Sequence, residues 1–514
     1  MSTGASRAEH ASAAASLPGT LPACGKGRAG GLIPAGARLV LATPHRGPGS
    51  VAGVSTITGD ALTRELSALC GPGALVAQDA TRDYLHDATE HQGLRGDAVA
   101  VVLPASEDEL AAVVGWCYEH DVAVVPRGGG SGFSGGCVPL GGEVVVGLQR
   151  LDRVLSFDPG LWRMQVQAGV STANVRRLAR ENGLLFPPDP GAAEQSHIGG
   201  NIATNAGGPH AFKYGVTGAW VTGLRAVMPG GEQIEVGGPL RKDVAGYDIA
   251  SLLIGSEGTL GLITAAWLRL IPAPEAAAPI AAVYPDVASG CRALTAVVEA
   301  GLVPAALEYL DRGSIAAAAG AFPVALPDEA AFMVIAEADG SQAEVEGVLA
   351  ELRDALEPDA LALHVPEARG DVEALWRWRD GVSIAVAAAR GGKMSEDITV
   401  PFEHLEEAIE GTLEIGERHG IEACSWGHAG DANLHSTFLL DSGDRAQIDR
   451  AEAAAQELFE LARTLGGTVS GEHGLGWVKR DQLHRQWSPA TMEVQRAIKR
   501  AFDPKDLMNP GKKD

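Results

Sequence analysis

The chain has 514 residues, 46% hydrophobic and 21% charged, so it can bury a large core and global disorder is excluded. Its 65 Asp and Glu outnumber 41 Lys and Arg, and the formal charge of −24 repels phosphate backbones and anionic lipid, which argues against a nucleic-acid partner. No apolar run reaches the roughly 18 residues of a membrane-spanning helix. The cysteines Cys24, Cys70, Cys117, Cys137, Cys291 and Cys424 form no C-x-x-C pair of the kind an iron–sulfur cluster or zinc ribbon uses.

Residues 1–55 read as a disordered tail or a start codon assigned too early. They are rich in Ala, Gly, Ser and Pro, with Arg7, Lys26, Arg28, Arg38 and Arg46 against Glu9 alone, an acid-poor start like that of a transit peptide. Order is expected from about Asp60. Ala61–Cys70 has helical spacing and is stopped by Gly71-Pro72-Gly73. Val99–Leu103 is a strand, and Glu107–His120 a helix with Leu110, Val113, Val114 and Cys117 on one stripe. Val122–Val125 completes a β-α-β unit, which favours parallel strands. Strands follow at 144–146, within 154–170, at Leu224–Met228 and at Leu260–Leu270, with a helix begun by Ser171 and reaching about Glu181. The composition shifts near Ile271-Pro272-Ala273-Pro274. From about 275 to 465 helices are expected to dominate, with strands at Phe332–Ala338 and Ile398–Pro401.

The densest signal is Pro126-Arg127-Gly128-Gly129-Gly130-Ser131-Gly132-Phe133-Ser134-Gly135-Gly136. Gly130, Gly132 and Gly135 satisfy G-x-G-x-x-G, but a dinucleotide fingerprint must open a helix. Here Pro139, Gly141 and Gly142 lead into a strand, so the loop joins strand to strand. Consecutive backbone N–H groups without side chains can still hold a phosphate. Two further segments suit close approach to a flat or phosphorylated ligand: Phe186–Gly191 with Ile198–Gly208, and Gly255–Gly261. Near the far end, Gly427-His428-Ala429-Gly430-Asp431-Ala432-Asn433-Leu434-His435 contains a turn-like centre, so a hairpin can set two imidazoles side by side. Glu472 and His473 add a carboxylate and a third imidazole. Two histidines and a carboxylate suit a divalent ion with open positions, although a histidine pair held by ordinary hydrogen bonds stays open as the alternative.

Taken together, P-R-G-G-G-S-G, I-G-G-N-I-A-T-N-A-G-G, G-S-E-G-T-L-G, G-H-A-G-D-A-N-L-H, G-E-H-G-L-G and N-P-G-K resemble the vanillyl-alcohol oxidase and p-cresol methylhydroxylase-like flavoproteins. More narrowly, they resemble the FAD-linked 2-hydroxyacid branch, which holds D-lactate dehydrogenase, the glycolate oxidase flavin subunit and D-2-hydroxyglutarate dehydrogenase. The resemblance covers most of residues 60–512 and implies an α+β fold. It places a two-subdomain FAD-binding domain over 56–272, an α+β cap with an antiparallel sheet over 273–467, and a returning segment over 468–514.

The resemblance also implies site roles. Arg127, Gly128, Gly129, Gly130, Ser131, Gly132, Gly135 and Gly136 would hold the FAD pyrophosphate. Pro188, Asp189, Gly191, Gly199, Gly200, Asn201, Thr204, Asn205 and Gly208 would wrap the adenosine and flavin, completed by Glu257, Gly258, Gly261 and Ile263. Asn509 would return to the flavin ring. His428, His435 and Glu472 match metal ligands, usually for zinc or manganese; His473 matches the base; Arg379, and more loosely Lys393, match anchors for the substrate carboxylate. Two departures stand out. Ala432 replaces a usual glycine, which implies turn strain or a shifted hairpin. Ser131 replaces the histidine of covalent relatives, which implies non-covalent FAD.

The implied reaction oxidises a small D-2-hydroxy acid, D-lactate or glycolate first, to the 2-oxo acid. Hydride passes to flavin N5 and electrons go on to a separate, non-NAD acceptor: a quinone, a cytochrome, an electron-transfer flavoprotein or an iron–sulfur subunit. D-2-hydroxyglutarate dehydrogenase, a redox-neutral alkyl-glycerone-phosphate synthase-like enzyme, a non-catalytic FAD-binding subunit and a flavin-free metal hydrolase are the rival readings. The preference for Arg over Lys suggests a high-GC bacterium and cytoplasmic residence, peripheral at the inner membrane; a homodimer is left open.

Overall fold

The computed structural model describes residues 59–89 and 94–513; the expected tail over 1–55 lies outside them. Three sheets position everything that follows. In the first, Ala98–Val102, Glu143–Gly147 and Val124–Arg127 run parallel, in that order. The helix Glu107–Glu119 links the two outer strands. Its Ser106 cap accepts the Glu109 N–H at 3.1 Å, and Leu110, Val113, Val114 and Cys117 are buried. The strands of the expected β-α-β unit are thus parallel but not neighbours, because Glu143–Gly147 slots between them. A parallel neighbour cannot be reached by a tight turn. The glycine loop is therefore the whole crossover from Val124–Arg127 to Glu143–Gly147.

The second sheet is antiparallel, in the order Val154–Asp158, Arg163–Gln167, Leu262–Arg269, Val221–Val227, Gln233–Gly237. Helix Thr172–Glu181 packs Thr172, Val175 and Ala179 inward, and Ser171 caps it by accepting the Asn174 N–H at 3.3 Å. The short helix Ile198–Thr204 ends at Asn205, which adopts a left-handed φ of 54°.

The third sheet is the antiparallel sheet expected in the cap; helices do dominate 275–465, but five of the sheet's seven strands carry no strand signal in the sequence. Seven antiparallel strands run in the order Ala362–His364, Ala276–Tyr284, Phe332–Gly340, Ala306–Asp311, Ala423–His428, Asn433–Leu439, Lys393–Thr399. Most are covered on both faces, so the polar–apolar alternation that marks a half-exposed strand is missing from their sequences. One face carries Ile280, Tyr309, Val334, Ile398 and Phe438 into the largest apolar core, beneath helices Val287–Glu299, Gln342–Leu356, Leu405–Arg418 and Arg445–Thr464. The other face is half covered by helix Arg369–Arg390, which buries Leu375, Trp378, Val382 and Val386 against Ala281, Leu310 and Ile335. The uncovered half of that face is polar.

The last residues run back to the first sheet. Met508 bridges Val124, the Asn509 N–H donates to Val124 O at 2.8 Å, and Lys512 Nζ donates to Val138 O at 2.8 Å. Among the described residues no helix is long and apolar enough to cross a membrane.

Candidate active site

Register explains the polar half-face. Directly opposed residues of antiparallel strands share a face. Glu308 opposes His428, Trp426 opposes His435, and His435 opposes Asp397. These side chains, with Lys393 two positions on from Ser395, therefore emerge on one side of the sheet. The hairpin of Ala423–His428 and Asn433–Leu439 does what its turn residues implied and brings both imidazoles together. Their rings lie 5.2 Å apart.

Glu472 closes the group. Its Oε1 is 3.4 Å from His428 Nε2 and 3.6 Å from His435 Nε2, and one ligand atom from each of the three lies within 4.8 Å of the others. Two carboxylates that no motif marks organise this triad. Glu308 is fully buried, accepts from His428 Nδ1 at 2.6 Å and thereby turns Nε2 toward Glu472. Its second oxygen accepts from Arg379 Nε at 2.8 Å and also faces Nη2. Asp397, fully buried, accepts the Gly471 N–H at 2.9 Å, the His473 N–H at 2.8 Å and Ser470 Oγ at 2.8 Å, so it fixes the loop that bears Glu472 and His473.

Charge follows from these contacts. Burial disfavours a charged His428, but Glu308 and Glu472 outweigh it and push the imidazole up to about 10. Burial and the neighbouring His428 and His473 hold His435 well below its ordinary value, so it is a neutral ring. Burial would raise Asp397, but His473, Lys479 and the His473 N–H hold it far below the usual carboxylate range. His473 stacks on His435 with ring centres 5.3 Å apart, and Phe133 of the glycine loop covers its other side at 4.9 Å.

One cavity of about 820 Å³ is lined by this cluster, by Arg379 and Lys393, and by the three glycine segments. In the first segment, the N–H groups of Gly128 to Gly132 have no protein acceptor among the described residues. In the second, a Cβ on Gly191 or Gly200 would meet no atom within 4 Å; it would stand in the cavity. Both features fit an elongated ligand with anionic groups.

Not every expected contact is there. Gly135, Pro188, Asn205 and Asn509 do not line the cavity. The Gly135 N–H donates to Asp87 at 2.8 Å, Pro188 is buried, and Asn205 Oδ1 accepts the Gly218 N–H at 2.8 Å. Asn509, placed at the flavin ring by resemblance, instead donates from Nδ2 to Gly136 O and Glu257 O, both at 2.8 Å, and so ties two glycine segments together. Arg127 lines the cavity, but its guanidinium is spent on His86 O at 2.7 Å and Asp83 O at 2.9 Å. The Glu257 carboxylate accepts the Leu475 and Gly476 N–H groups at 2.9 and 2.7 Å, gripping the far end of the loop that Asp397 holds. Lys393 Nζ donates to Ser383 Oγ at 2.5 Å, beneath the Trp426 ring.

Known proteins share these parts. Residues 98–237 match the FAD binding domain family, and residues 273–513 match the C-terminal domain of FAD linked oxidases. Glycolate oxidase subunit GlcD of Bacillus subtilis (strain 168) is 35% identical over 430 residues, which cover 84% of this chain and 91% of that protein. D-2-hydroxyglutarate dehydrogenase of Stutzerimonas stutzeri (strain A1501) is 33% identical over 468 residues, 89% of this chain and 99% of that protein. Among solved structures, p-cresol methylhydroxylase with substrate bound superposes with a TM-score of 0.74 at 18% identity, over 88% of this chain and 96% of that one, which shows a common fold. The chain shares the fold of p-cresol methylhydroxylase and belongs to the FAD-linked oxidase family, with that family's FAD binding domain and C-terminal domain.

Proposed function

We propose that this chain oxidises a D-2-hydroxy acid to the 2-oxo acid, using non-covalent FAD and a zinc or manganese ion on His428, His435 and Glu472. The observation that carries the reading is a single cavity that holds both the unpaired N–H row of Gly128–Gly132 and the two-histidine, one-carboxylate triad with His473 beside it. When bound, FAD supplies a two-electron acceptor and the ion supplies Lewis acidity.

The chain's own residues do the rest. Arg379 presents the cavity with the edge of its guanidinium not turned to Glu308, which suits a carboxylate fork. Lys393 adds a second cation on the same wall. His473 takes the hydroxyl proton; its backbone is pinned by Asp397 and its ring is held between His435 and Phe133, so the imidazole is oriented before substrate arrives. No iron–sulfur motif occurs in the sequence, so the electrons leave to a separate acceptor, a quinone, cytochrome, electron-transfer flavoprotein or partner subunit.

The test is an anaerobic absorbance spectrum before and after D-lactate, glycolate or D-2-hydroxyglutarate. Bleaching of a flavin band by one of them supports the reading. A yellow protein that none of them bleaches overturns it. The His473→Asn variant should keep FAD and lose at least about 100-fold in the rate of flavin reduction, read by stopped flow; fast reduction in that variant would remove His473 from the role of base.

A further inference from the structure

Helix Arg369–Arg390 turns one face to the cavity: Trp376, Arg379, Asp380, Ser383 and Ile384, spaced i, i+3, i+4, i+7 and i+8. Trp376 is tied to Glu337, Arg379 to Glu308, and Ser383 to Lys393. Ile384 is 75% exposed and so marks the rim. Across the cavity stands helix Thr172–Glu181, which contributes Arg176 and Arg180, one turn apart. Arg176 lies close enough to Asp380 to stabilise its charge, and Asp380 in turn feels Glu308. Arg176 therefore faces the part of the cavity that Asp380 lines, and Arg180 follows one turn on along the same wall.

Neither guanidinium is held by a protein acceptor among the described residues: Arg180 is exposed at the cavity wall, and Arg176 is partly buried. Among the described residues Arg176 and Arg180 have no hydrogen-bond or ion-pair partner, and Arg176 Nε is a buried donor without an acceptor. Arg177, the outward-facing neighbour on the same helix, pairs with Glu181 at 2.7 Å, so the helix does not lack acids where none is needed. A buried N–H left unpaired calls for an acceptor that arrives with a ligand. The only facing carboxylate on the opposite helix is Asp380, against two guanidinium groups. Burial, with Asp189 and Glu308 nearby, holds Asp380 above the ordinary carboxylate range and weakens its claim on them. In a molecule of net charge −24, such a pair is a local attractor for an anion.

We infer that Arg176 and Arg180 form a second anion-binding position, which takes a carboxylate carried on the Cα substituent of the substrate. The chain is then selective for a D-2-hydroxy dicarboxylate over D-lactate or glycolate, whose substituents carry no charge. This rests on the hydroxy-acid reading of the site and moves its preferred substrate away from the two smallest acids.

The experiment uses the full-length FAD-loaded enzyme and the Arg176→Ala/Arg180→Ala variant, with D-2-hydroxyglutarate and D-lactate as probes of flavin reduction. The expected result is a 10- to 100-fold loss of kcat/KM on the dicarboxylate, by about the worth of hydrogen bonds to a charged group, with the D-lactate rate changed less than about 2-fold. Arg180→Ala alone, at the exposed end of the helix, should give part of the same loss and guards against misfolding of the double variant. An equal loss on both acids means general attraction of anions and overturns the dicarboxylate position. So does loss of bound FAD, which would assign the arginines to the cofactor, or a wild type that reduces its flavin faster with D-lactate. If no hydroxy acid bleaches the wild-type flavin, it is the reaction itself that has failed, not this subsite.

Discussion

At Ala432 the hairpin between the two ligand histidines turns through a left-handed φ of 48°. The turn keeps its register, with His428 opposite Asn433, so the absent glycine strains the hairpin without shifting it. A left-handed alanine costs about 1–2 kcal/mol. Its methyl group is 2% exposed and returns about 0.8 kcal/mol, and glycine would lose a further 0.5–1 kcal/mol of chain entropy. These nearly cancel, so Ala432→Gly should move the urea midpoint by less than about 1 kcal/mol of stability, whereas Ala432→Val, β-branched in the same well, should cost more than that. His428 gives a second prediction at this scale. Its imidazole is pushed up to about 10 in the metal-free chain, so an ion must displace a proton to reach Nε2. Affinity for zinc should rise with pH from 6 to 8, and titration calorimetry in buffers of different ionisation enthalpy should record proton release. An affinity flat in pH would mean that the ion binds elsewhere.

The loop from Ser470 to Gly476 is held by acceptors at both ends, and its first grip is testable. In Asp397→Asn the new amide sets N–H donors against the N–H groups of Glu472 and His473, and Lys479 loses the farther of its two carboxylates, at 3.9 Å, while keeping Glu396 at 3.4 Å. A loss of about 3–5 kcal/mol is expected, as for removing half of a buried charged pair. Because the Asp397 carboxyl is depressed, its contribution is complete above the unfolded value near pH 4 and is lost only as acid approaches the folded value. The wild type should therefore show no loss from this group between pH 7 and 5, and the variant's deficit should be constant across that range. None of this was legible beforehand. The glycine segments and the histidine hairpin could be read because their chemistry lies in contiguous residues. Glu308 sits alone in a strand, 120 residues before His428, and meets it through strand register; Asp397 reaches His473 across 76 residues. An antiparallel sheet was expected in this half, but only two of its seven strands carry a strand signal, so the register that sets Glu308 beside His428 could not be read, and Arg176 and Arg180 look like the solvated side of an amphipathic helix until the cavity is seen.

Across the whole molecule, the C-terminal segment fastens the FAD-binding half. Asn509→Ala removes three hydrogen bonds, one of them accepted from Lys512 Nζ, and leaves Gly136 O and Glu257 O without these donors. At about 1–3 kcal/mol for the unsatisfied groups, FAD should bind roughly 10- to 100-fold more weakly, by fluorescence titration of the stripped protein, while turnover at saturating FAD stays near wild type. The same scale gives meaning to the two grips on Ser470–Gly476. Asp397 belongs to the seven-stranded sheet and Glu257 to the glycine segment that leads into the central strand of the second sheet, so the loop that carries Glu472 and His473 spans both halves. It works as an interlock: neither half holds a complete reaction centre, and a chain that has folded both but not closed them has binding surfaces without chemistry. Turnover thus reports closure as well as substrate, and on refolding it should return only after the flavin has already been captured.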